Sequence, residues 1–273
     1  MSLTSEPRFW RDPRMPWAEL RQVQDGRRVC YAPHSHTQWS MGAITGGCST
    51  FLYRNQTHSI QKGDLVLINP DQVHACNPVQ DQPWSYFMLY VDTGWLTRLR
   101  YEAGLLSSEH WQDLTPGVLS DPIWHRRYCL MAHCLMDADR DLLEKQEALV
   151  SFLSDLMVHL AETAPEPETG VPETLKAVAD YLDQHATSDI SLDELCDRFG
   201  YSPGYLIRAF RQHFHLTPHA YMVNRRIQLG QVQLKQGQSI ANAALEAGFA
   251  DQPHFQRTFK RLTASTPNQY RKA

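Results

Sequence analysis

The sequence predicts an α+β protein with two domains. The first is an antiparallel β-barrel of the jelly-roll type with a helical segment suited to dimerisation, and the second is an all-α domain with two helix-turn-helix units. Three observations predict this fold class: a repeat in the last hundred residues, a series of short strand-like runs between residues 29 and 92, and a segment rich in proline and acid between these regions. The predicted boundaries are 1–163 for the first domain, 164–172 for a linker and 173–273 for the second domain.

The C-terminal region contains one unit twice, at an offset of 49 residues. Apolar and charged positions both recur, in the pairs Leu206/Phe255, Arg208/Arg257, Phe210/Phe259, Arg211/Lys260, Thr217/Thr266, Pro218/Pro267 and Tyr221/Tyr270. In each copy an apolar helix face ends at a glycine, Gly200 or Gly248, and a second helix follows with Ser202 or Asp251 as its N-cap. A helix, a tight turn and a second helix can present that second helix to the major groove of DNA.

A third helix is predicted between the two copies. It runs from Pro218 to a stop at Gly237 and carries an apolar side that includes Tyr221, Ile227, Leu229 and Val232. Such a helix is roughly 28 Å long, and successive major grooves on one face of B-DNA are about 34 Å apart. One rigid helix is therefore suited to place both second helices in neighbouring grooves.

The net charge of −4 hides a basic C-terminal region. From Pro203 onward ten Lys and Arg residues stand against two acids, which leaves −12 for the remainder. Neutralisation of phosphates supplies much of the affinity of DNA-binding proteins, so a basic patch on the motif is expected. A solvated basic face without a partner is the alternative.

The residues of the second copy are similar to the AraC/XylS family of bacterial transcription regulators. The sequence Gly248-Phe249-Ala250-Asp251-Gln252-Pro253-His254-Phe255-Gln256-Arg257-Thr258-Phe259-Lys260-Arg261 resembles the family pattern G-F-x-D-x-S-x-F-x-R-x-F-K-R. Thr266-Pro267 and Tyr270-Arg271 fit the closing P-x-x-Y-R. The resemblance covers roughly residues 174–272, and it implies sequence-specific binding to double-stranded DNA.

The resemblance also implies which residues contact DNA. Base contacts are expected from Gly204, Ile207 and Arg208 in the first unit and from Gln252, His254, Gln256 and Arg257 in the second, with Arg211, Lys260 and Arg261 on phosphates. Arginine can bind guanine through two hydrogen bonds, and glutamine can bind adenine in the same way. Two departures weaken the comparison: Ile207 stands where a polar residue is common, and Pro253 replaces the usual serine.

The N-terminal strands carry a second resemblance, to the two cupin motifs in the form found in sensory domains of the same family. It rests on His34-Ser35-His36 and on the stretch from Gly63 to His74. His34 and His36 lie two apart on a predicted strand, so they point to one face, and His74 is expected across the barrel from them. This resemblance implies a barrel that binds a small-molecule effector.

The predicted ligand-binding residues are His34, His36, Trp39, Tyr53, His74, Trp84 and Tyr86, with Tyr90 close by. Three histidines can hold a divalent metal, but the position of the cupin carboxylate ligand falls near Gln38 or Trp39, so no metal and no cofactor are predicted. Structural hydrogen bonding of the histidines, and ordinary core packing of the aromatic residues, remain open alternatives. An amino acid, amine, sugar or aromatic compound is the expected effector class.

Two helices are predicted after the barrel, at Pro122–Met136 and Asp141–Thr163. The second carries a stripe at helical spacing, made of Leu142, Leu149, Phe152, Leu153, Leu156 and Leu160. By resemblance this helix forms a homodimer contact, and packing within one chain is the alternative. The six cysteines form no C-x-x-C pair and are expected to be reduced thiols. No signal peptide or membrane-spanning stretch is recognised, so the protein is expected in the cytoplasm.

These features together predict a ligand-responsive transcription regulator that is not an enzyme. By family habit we expect an activator that works with RNA polymerase. Two alternatives remain open at this point. One is a metal-dependent cupin enzyme fused to a DNA-binding module, and the other is a constitutive DNA-binding protein whose barrel serves only for dimerisation.

Overall fold

The N-terminal domain is built from two β-sheets. The computed structural model describes residues 6–27, 29–80, 82–162 and 171–272. Within these ranges one sheet has six strands in the order β1-β2-β8-β3-β6-β9, and the other has three in the order β5-β4-β7, all antiparallel. The strands are β1 (Arg8–Trp10), β2 (Ala18–Val23), β3 (Trp39–Gly46), β4 (Cys48–Tyr53), β5 (Gln56–Gln61), β6 (Leu65–Ile68), β7 (His74–Pro78), β8 (Ser85–Val91) and β9 (Val118–Leu119).

The six-stranded sheet is buried on both faces. Ile44 of β3 contributes to a core between the sheets together with Phe51, Ile60 and Val66. On the other face, Met41 contributes to a core with the helices α1 (Thr93–Glu102), α2 (Pro122–Met136) and α3 (Leu142–Glu162). Because successive side chains of a strand point to opposite faces, a continuous apolar strand such as β3 can supply both cores.

The apolar stripe of α3 packs inside the chain. Leu149, Phe152, Leu153, Leu156 and Leu160 are each at most 3% exposed in the core that α3 shares with α2 and the barrel. Burial of one such side chain stabilises a fold by about 1.5–3 kcal/mol. The stripe is therefore accounted for by packing within one chain, and it is not available as the dimer contact that the sequence suggested.

The C-terminal domain contains seven helices within the described residues. They are α4 (Glu173–Gln184), α5 (Leu192–Phe199), α6 (Pro203–Phe214), α7 (Pro218–Lys235), α8 (Ile240–Glu246), α9 (Gln252–Thr263) and α10 (Pro267–Lys272). Gly200 ends α5 in the left-handed region at φ 72°, and Asp251 caps α9 by accepting a hydrogen bond from the amide of His254. The fold class is confirmed: a sheet-rich domain precedes a helical domain with two helix-turn-helix units, α5–α6 and α8–α9.

Helix α7 lies at the centre of this domain. Its 18 residues correspond to about 27 Å. One prediction for this helix was wrong, because Leu229 and Val232 are 40% and 50% exposed, whereas Asn224 and Gly230 are buried. The buried residues do not follow a simple apolar stripe because α7 meets the first unit, the second unit and the N-terminal domain on different sides.

The predicted linker falls mostly outside the described residues, which resume at Val171. Helix α3 ends at Glu162 and α4 begins at Glu173. The boundaries 1–163 and 173–273 therefore stay a prediction. No helix among the described residues is both long and apolar enough to cross a membrane.

We expect Gly230→Val to destabilise the second unit. A Cβ atom at Gly230 would lie 2.5 Å from Cε2 of Phe255 in α9, and overpacking of a core costs about 1–3 kcal/mol. The free energy of unfolding, measured in urea, should fall by that amount. Leu229→Val places a valine at an exposed position of the same helix, and its effect should stay within about 0.5 kcal/mol. Equal losses in the two variants would contradict the close approach of α7 and α9.

Candidate ligand cavity and DNA-binding surface

The second helices of the two units expose a set of cations. Arg208 and Arg211 on α6 and Arg257, Lys260 and Arg261 on α9 are all exposed. None of these side chains forms a hydrogen bond or an ion pair with another described residue. Positive charges that the described residues leave unpaired are available for phosphates or base edges.

Three other basic residues of this region have structural partners. Arg225 pairs with Asp71 at 3.0 Å and with Asp183 at 2.6 Å, and Lys235 pairs with Glu19 at 2.5 Å. Arg226 donates to the carbonyl of Ala186 at 2.6 Å. The charge excess counted from the sequence therefore overstates the charge that faces solvent, and the remaining cations are concentrated on α6 and α9.

The other predicted DNA-contacting residues lie on the same two helices. Ile207, Gln252 and Gln256 are half-buried and His254 is exposed, with its ring against Phe249 at 5.2 Å between centroids. Gly204 lies in the first turn of α6. Pro253, which stands where the family pattern has serine, is compatible with α9. It lies in the first turn, where backbone amides have no hydrogen-bond partner within the helix.

A cavity lies inside the barrel. Its lining is mostly aromatic and aliphatic, with two imidazoles and three phenols, and consists of Tyr31, His34, Gly42, Ile44, Val66, His74, Cys76, Trp84, Tyr86, Met88 and Tyr90. Such a lining is typical of small-molecule sites, which are usually apolar with a few polar groups that fix orientation.

The structure brings only part of the predicted ligand set to this cavity. His34, His74, Trp84 and Tyr86 line it. Trp39 does not, because strand alternation turns it to the outer face of β3, where it packs in the helix-covered core.

Tyr53 is also absent from the lining, and its hydroxyl accepts a hydrogen bond from Nδ2 of Asn69 at 3.0 Å. Tyr31 and Cys76 were missed by the sequence analysis. Tyr31 lies outside the described strands, so no periodicity marks it. Met88 was missed too, although the alternation of Tyr86, Met88 and Tyr90 along β8 was a usable signal.

The three predicted histidines form one buried cluster. The ring centroid of His74 lies 4.4 Å from that of His34 and 4.7 Å from that of His36. Each Nδ1 lies 2.8–2.9 Å from a backbone carbonyl two residues away. A carbonyl only accepts hydrogen bonds, so these contacts place the proton on Nδ1 and leave Nε2 as an acceptor.

Burial keeps these imidazoles neutral. It lowers the pKa of His34 to about 3 and the pKa of His36 to about 4, and it holds the pKa of His74 well below its ordinary value. Across the described ranges no group of three or more His, Cys, Asp or Glu side chains is arranged to hold a metal ion. The cluster offers a ligand uncharged imidazole groups.

We expect His36→Gln to flatten the loss of stability in acid. The pKa of His36 is near 4 in the folded protein and about 6.5 when unfolded. The unfolded state therefore binds the proton more tightly, and the stabilisation present above pH 6.5 is lost as the pH falls toward 4. Between these values the wild type should lose about 1.4 kcal/mol per pH unit more than the variant, measured by urea unfolding. The exposed His110→Gln serves as control and should follow the wild type.

A second cavity lies between the two domains. It shares Tyr31, His34 and Tyr90 with the barrel cavity, so the two adjoin. His36 lines this second cavity rather than the first. Residues of α7 and of the segment after α9, such as Gln228 and Ser265, form its other wall. The space is therefore closed on one side by the DNA-binding domain.

Polar contacts join the histidine segment to α7. Asn224 accepts a hydrogen bond from the amide of Ser35 at 3.2 Å, and its Nδ2 donates to the carbonyl and the hydroxyl oxygen of Ser35 at 2.9 and 3.1 Å. Gln228 donates to the same carbonyl at 2.9 Å. Ser35 and Asn224 are 4% and 3% exposed. Ser35 lies between His34 and His36, so this contact is directly adjacent to both histidines in the chain.

Further contacts hold the end of α9 against the barrel. Arg21 of β2 donates to the carbonyl of Thr263 at 2.8 Å and to that of Ala264 at 3.4 Å. The amide of Ala32 donates to the carbonyl of Arg261 at 3.1 Å. Carbonyls of the last turn of a helix lack partners within the helix, and a cation is favourable there. The barrel thus supplies the C-terminal partners of a helix that carries DNA-contacting candidates.

We expect Asn224→Ala to release the Ser35 amide. Because that amide is buried and its acceptor is the Asn224 side chain, its hydrogen exchange should accelerate by about tenfold or more. The amide of His34, which donates to the carbonyl of His74 within the barrel, should keep its rate. Asn242→Ala, at an exposed position of α8, is the control. Unchanged exchange at Ser35 would show that the two domains do not dock through Asn224.

Comparison with known proteins agrees with this two-domain arrangement. Residues 16–149 match a family model described as an AraC-like ligand binding domain, and residues 195–273 match one described as a helix-turn-helix domain. Together the matches cover more than three quarters of the chain. The chain belongs to the AraC family of transcriptional regulators. Membership makes it a regulator with a ligand-binding domain and a DNA-binding domain rather than an enzyme.

Proteins with similar sequences are also named as transcriptional regulators. The HTH-type transcriptional regulator YbfI of Bacillus subtilis is 28% identical over 231 residues, which are 81% of this chain and 80% of that protein. The regulator SACOL0084 of Staphylococcus aureus is 24% identical over 85% of this chain, but the match spans only 31% of that longer protein. The crystal structure of ToxT from Vibrio cholerae superposes with a TM-score of 0.60 over 98% of both chains at 12% identity, which shows a common fold.

Proposed function

We propose that each protomer reads two successive major grooves with α6 and α9, and that a small molecule in the barrel controls this reading. The observation that carries the DNA part is the pair of exposed, unpartnered cation sets on α6 and α9. These helices occupy 203–214 and 252–263, so the offset of the sequence repeat is kept. The α7 helix between them is about 27 Å long, close to the distance between grooves.

The base-reading residues are proposed from their positions on these helices. Arg208 and Arg257 are equivalent in the two units, and both lie on exposed faces. Gln252 and Gln256 lie one turn apart on α9 and are suited to adenine, whereas arginine is suited to guanine. Arg211, Lys260 and Arg261 lie toward the C-terminal ends of their helices and are assigned to phosphates.

The barrel is proposed to bind the effector. Its cavity offers neutral imidazoles of His34 and His74 beside an aromatic lining that includes Trp84 and Tyr86. Such a site favours a compact molecule with an apolar or aromatic body and few charges. A ligand can shift the protein between states only if it binds them with different affinities. The Ser35 contact with Asn224 adjoins the cavity and gives those states a structural basis.

We further propose that the protein is an activator and acts as a homodimer in contact with RNA polymerase in the bacterial cytoplasm. Ile123 and Leu130 on α2 and Leu143 on α3 are 70%, 61% and 64% exposed, and they are the candidates for the dimer contact in place of the buried α3 stripe. Output of a reporter promoter that carries the binding site should rise with the protein present. A fall would identify a repressor.

Two substitutions on α9 test the DNA reading. We expect Arg257→Ala to weaken specific binding by about 1–3 kcal/mol and to relax preference at one base pair, since a base contact carries sequence information. Lys260→Ala should weaken binding to all sequences and reduce the salt slope by about 1, because a phosphate contact carries none. The measurement is affinity for a footprinted promoter fragment at several salt concentrations.

Lys62→Ala is the control, because Lys62 is an exposed lysine of the barrel domain. Its affinity and salt slope should equal those of the wild type. If Arg257→Ala and Lys260→Ala also retain wild-type binding, α9 does not enter a groove. If the protected region is shorter than one helical turn of DNA, the tandem reading is wrong.

A further inference from the structure

Arg21 is a buried cation at the wall of the cavity between the domains, and no carboxylate of the described residues forms an ion pair with it. We propose that it anchors the carboxylate of a small organic monocarboxylate whose apolar body extends into the barrel. This inference rests on the proposed ligand-responsive function and names the chemical class of the effector. It also narrows the broader set of amino acids, amines, sugars and aromatic compounds.

The first observation is the hydrogen bonding of the guanidinium. Arg21 is 3% exposed and lines the cavity. Its Nη1 donates to the carbonyl of Thr263 at 2.8 Å, but Nη2 reaches the carbonyl of Ala264 only at 3.4 Å. No described residue accepts a hydrogen bond from its Nε. Nε and Nη2 form one edge of the guanidinium, and that edge is the one a carboxylate can bind through two parallel hydrogen bonds.

The second observation is the balance of charge around this residue. Among the described residues no carboxylate forms an ion pair with Arg21. The nearby Glu19 is already bound to Arg11 at 2.8 Å and to Lys235 at 2.5 Å. The rings of Phe9 and Tyr31, with centroids 5.6 and 5.7 Å from the guanidinium carbon, offset only part of the cost of burial. An anionic ligand would complete the site.

The surroundings of Arg21 favour a ligand with one negative charge and an apolar body. His34 and His36 are kept neutral by burial, which lowers their pKa values, so they add no positive charge for a dianion such as a phosphate monoester. The cavity between the domains adjoins the barrel cavity through Tyr31 and Tyr90. Beyond them the barrel is lined by residues such as Trp84, which suit a ring or a short alkyl chain.

The site is also connected to a recognition helix. The same guanidinium that would bind the ligand donates to Thr263, the last residue of α9, and to Ala264 after it. Because Nη2 already holds Ala264 weakly, a carboxylate on the Nε and Nη2 edge competes with that contact first. Ligand binding at Arg21 therefore acts on the C-terminal end of the helix that carries Arg257 and Lys260.

The test compares carboxylates with their neutral amides on the full chain. Isothermal titration calorimetry uses benzoate and benzamide, 3-phenylpropanoate and its amide, and octanoate and its amide, which together span short, ring-bearing and alkyl bodies. We expect at least one carboxylate to bind, and its amide to bind at least tenfold more weakly. Arg21→Gln should abolish that preference. Arg11→Gln removes another interdomain guanidinium, which binds Glu19 and the Tyr270 carbonyl, and should keep it.

The same samples are assayed for affinity to the footprinted promoter fragment. No preference for any carboxylate over its amide, or an equal preference in Arg21→Gln, overturns the inference. The inference is also overturned if Arg21→Gln and Arg11→Gln lose the preference for the carboxylate equally. The preference would then depend on the domain interface as a whole and not on Arg21. If promoter binding persists in any of these cases, the proposed DNA function stands and only the effector class is wrong. Failure of the wild type to bind the promoter refutes the proposed function itself.

Discussion

The structure depends on one helix that packs on several sides at once. α7 joins the cores of both helix-turn-helix units, through Tyr221 and Met222 for the first and Ile227 and Leu234 for the second. A third side presents Asn224 to the barrel. Because a helix is stiff over this length, the spacing of the two units and their position against the barrel cannot be changed independently. Whatever moves α7 relative to the barrel moves both units together.

The interface between the domains is polar where it adjoins the cavities. Asn224, Gln228 and Ser35 exchange hydrogen bonds, and Arg21 meets the carbonyls at the end of α9. A typical hydrogen bond within a protein contributes about 0.5–1.5 kcal/mol net, because water replaces it when the surfaces part. Apolar cores such as those on α7 have no comparable replacement. The polar contacts are therefore the part of the molecule that can open while each domain remains folded.

The sequence predicted what depends on local patterns. The bounds of α2 and the capping of α9 by Asp251 follow from local chemistry, and the structure shows both. The strand β2 was missed, because Glu19 and Arg21 interrupt its apolar pattern. Their burial depends on Lys235, Thr263 and other partners more than two hundred residues away. Trp39 was misplaced because composition marks an aromatic residue as core but does not say which of two cores it joins. Contacts between residues so far apart in the sequence depend on the complete fold, so local sequence patterns do not predict them.

The polar contacts between the domains and the apolar cores on α7 differ in how easily a ligand can disrupt them. A ligand changes an equilibrium between two states only by the difference in its affinity for them, and a tenfold difference corresponds to about 1.4 kcal/mol. A typical hydrogen bond, such as the one that Asn224 donates to the Ser35 carbonyl, contributes about 0.5–1.5 kcal/mol net, which is of that magnitude. A ligand that competes for one or two of these contacts therefore weakens the docking of α7 or of the end of α9 by a comparable free energy. The same ligand has far too little to unfold the α7 cores, each of which buries several large side chains. Regulation through this interface thus requires no contact between effector and DNA-binding surface, since the helix that spaces the two units is also the helix that meets the sensory segment.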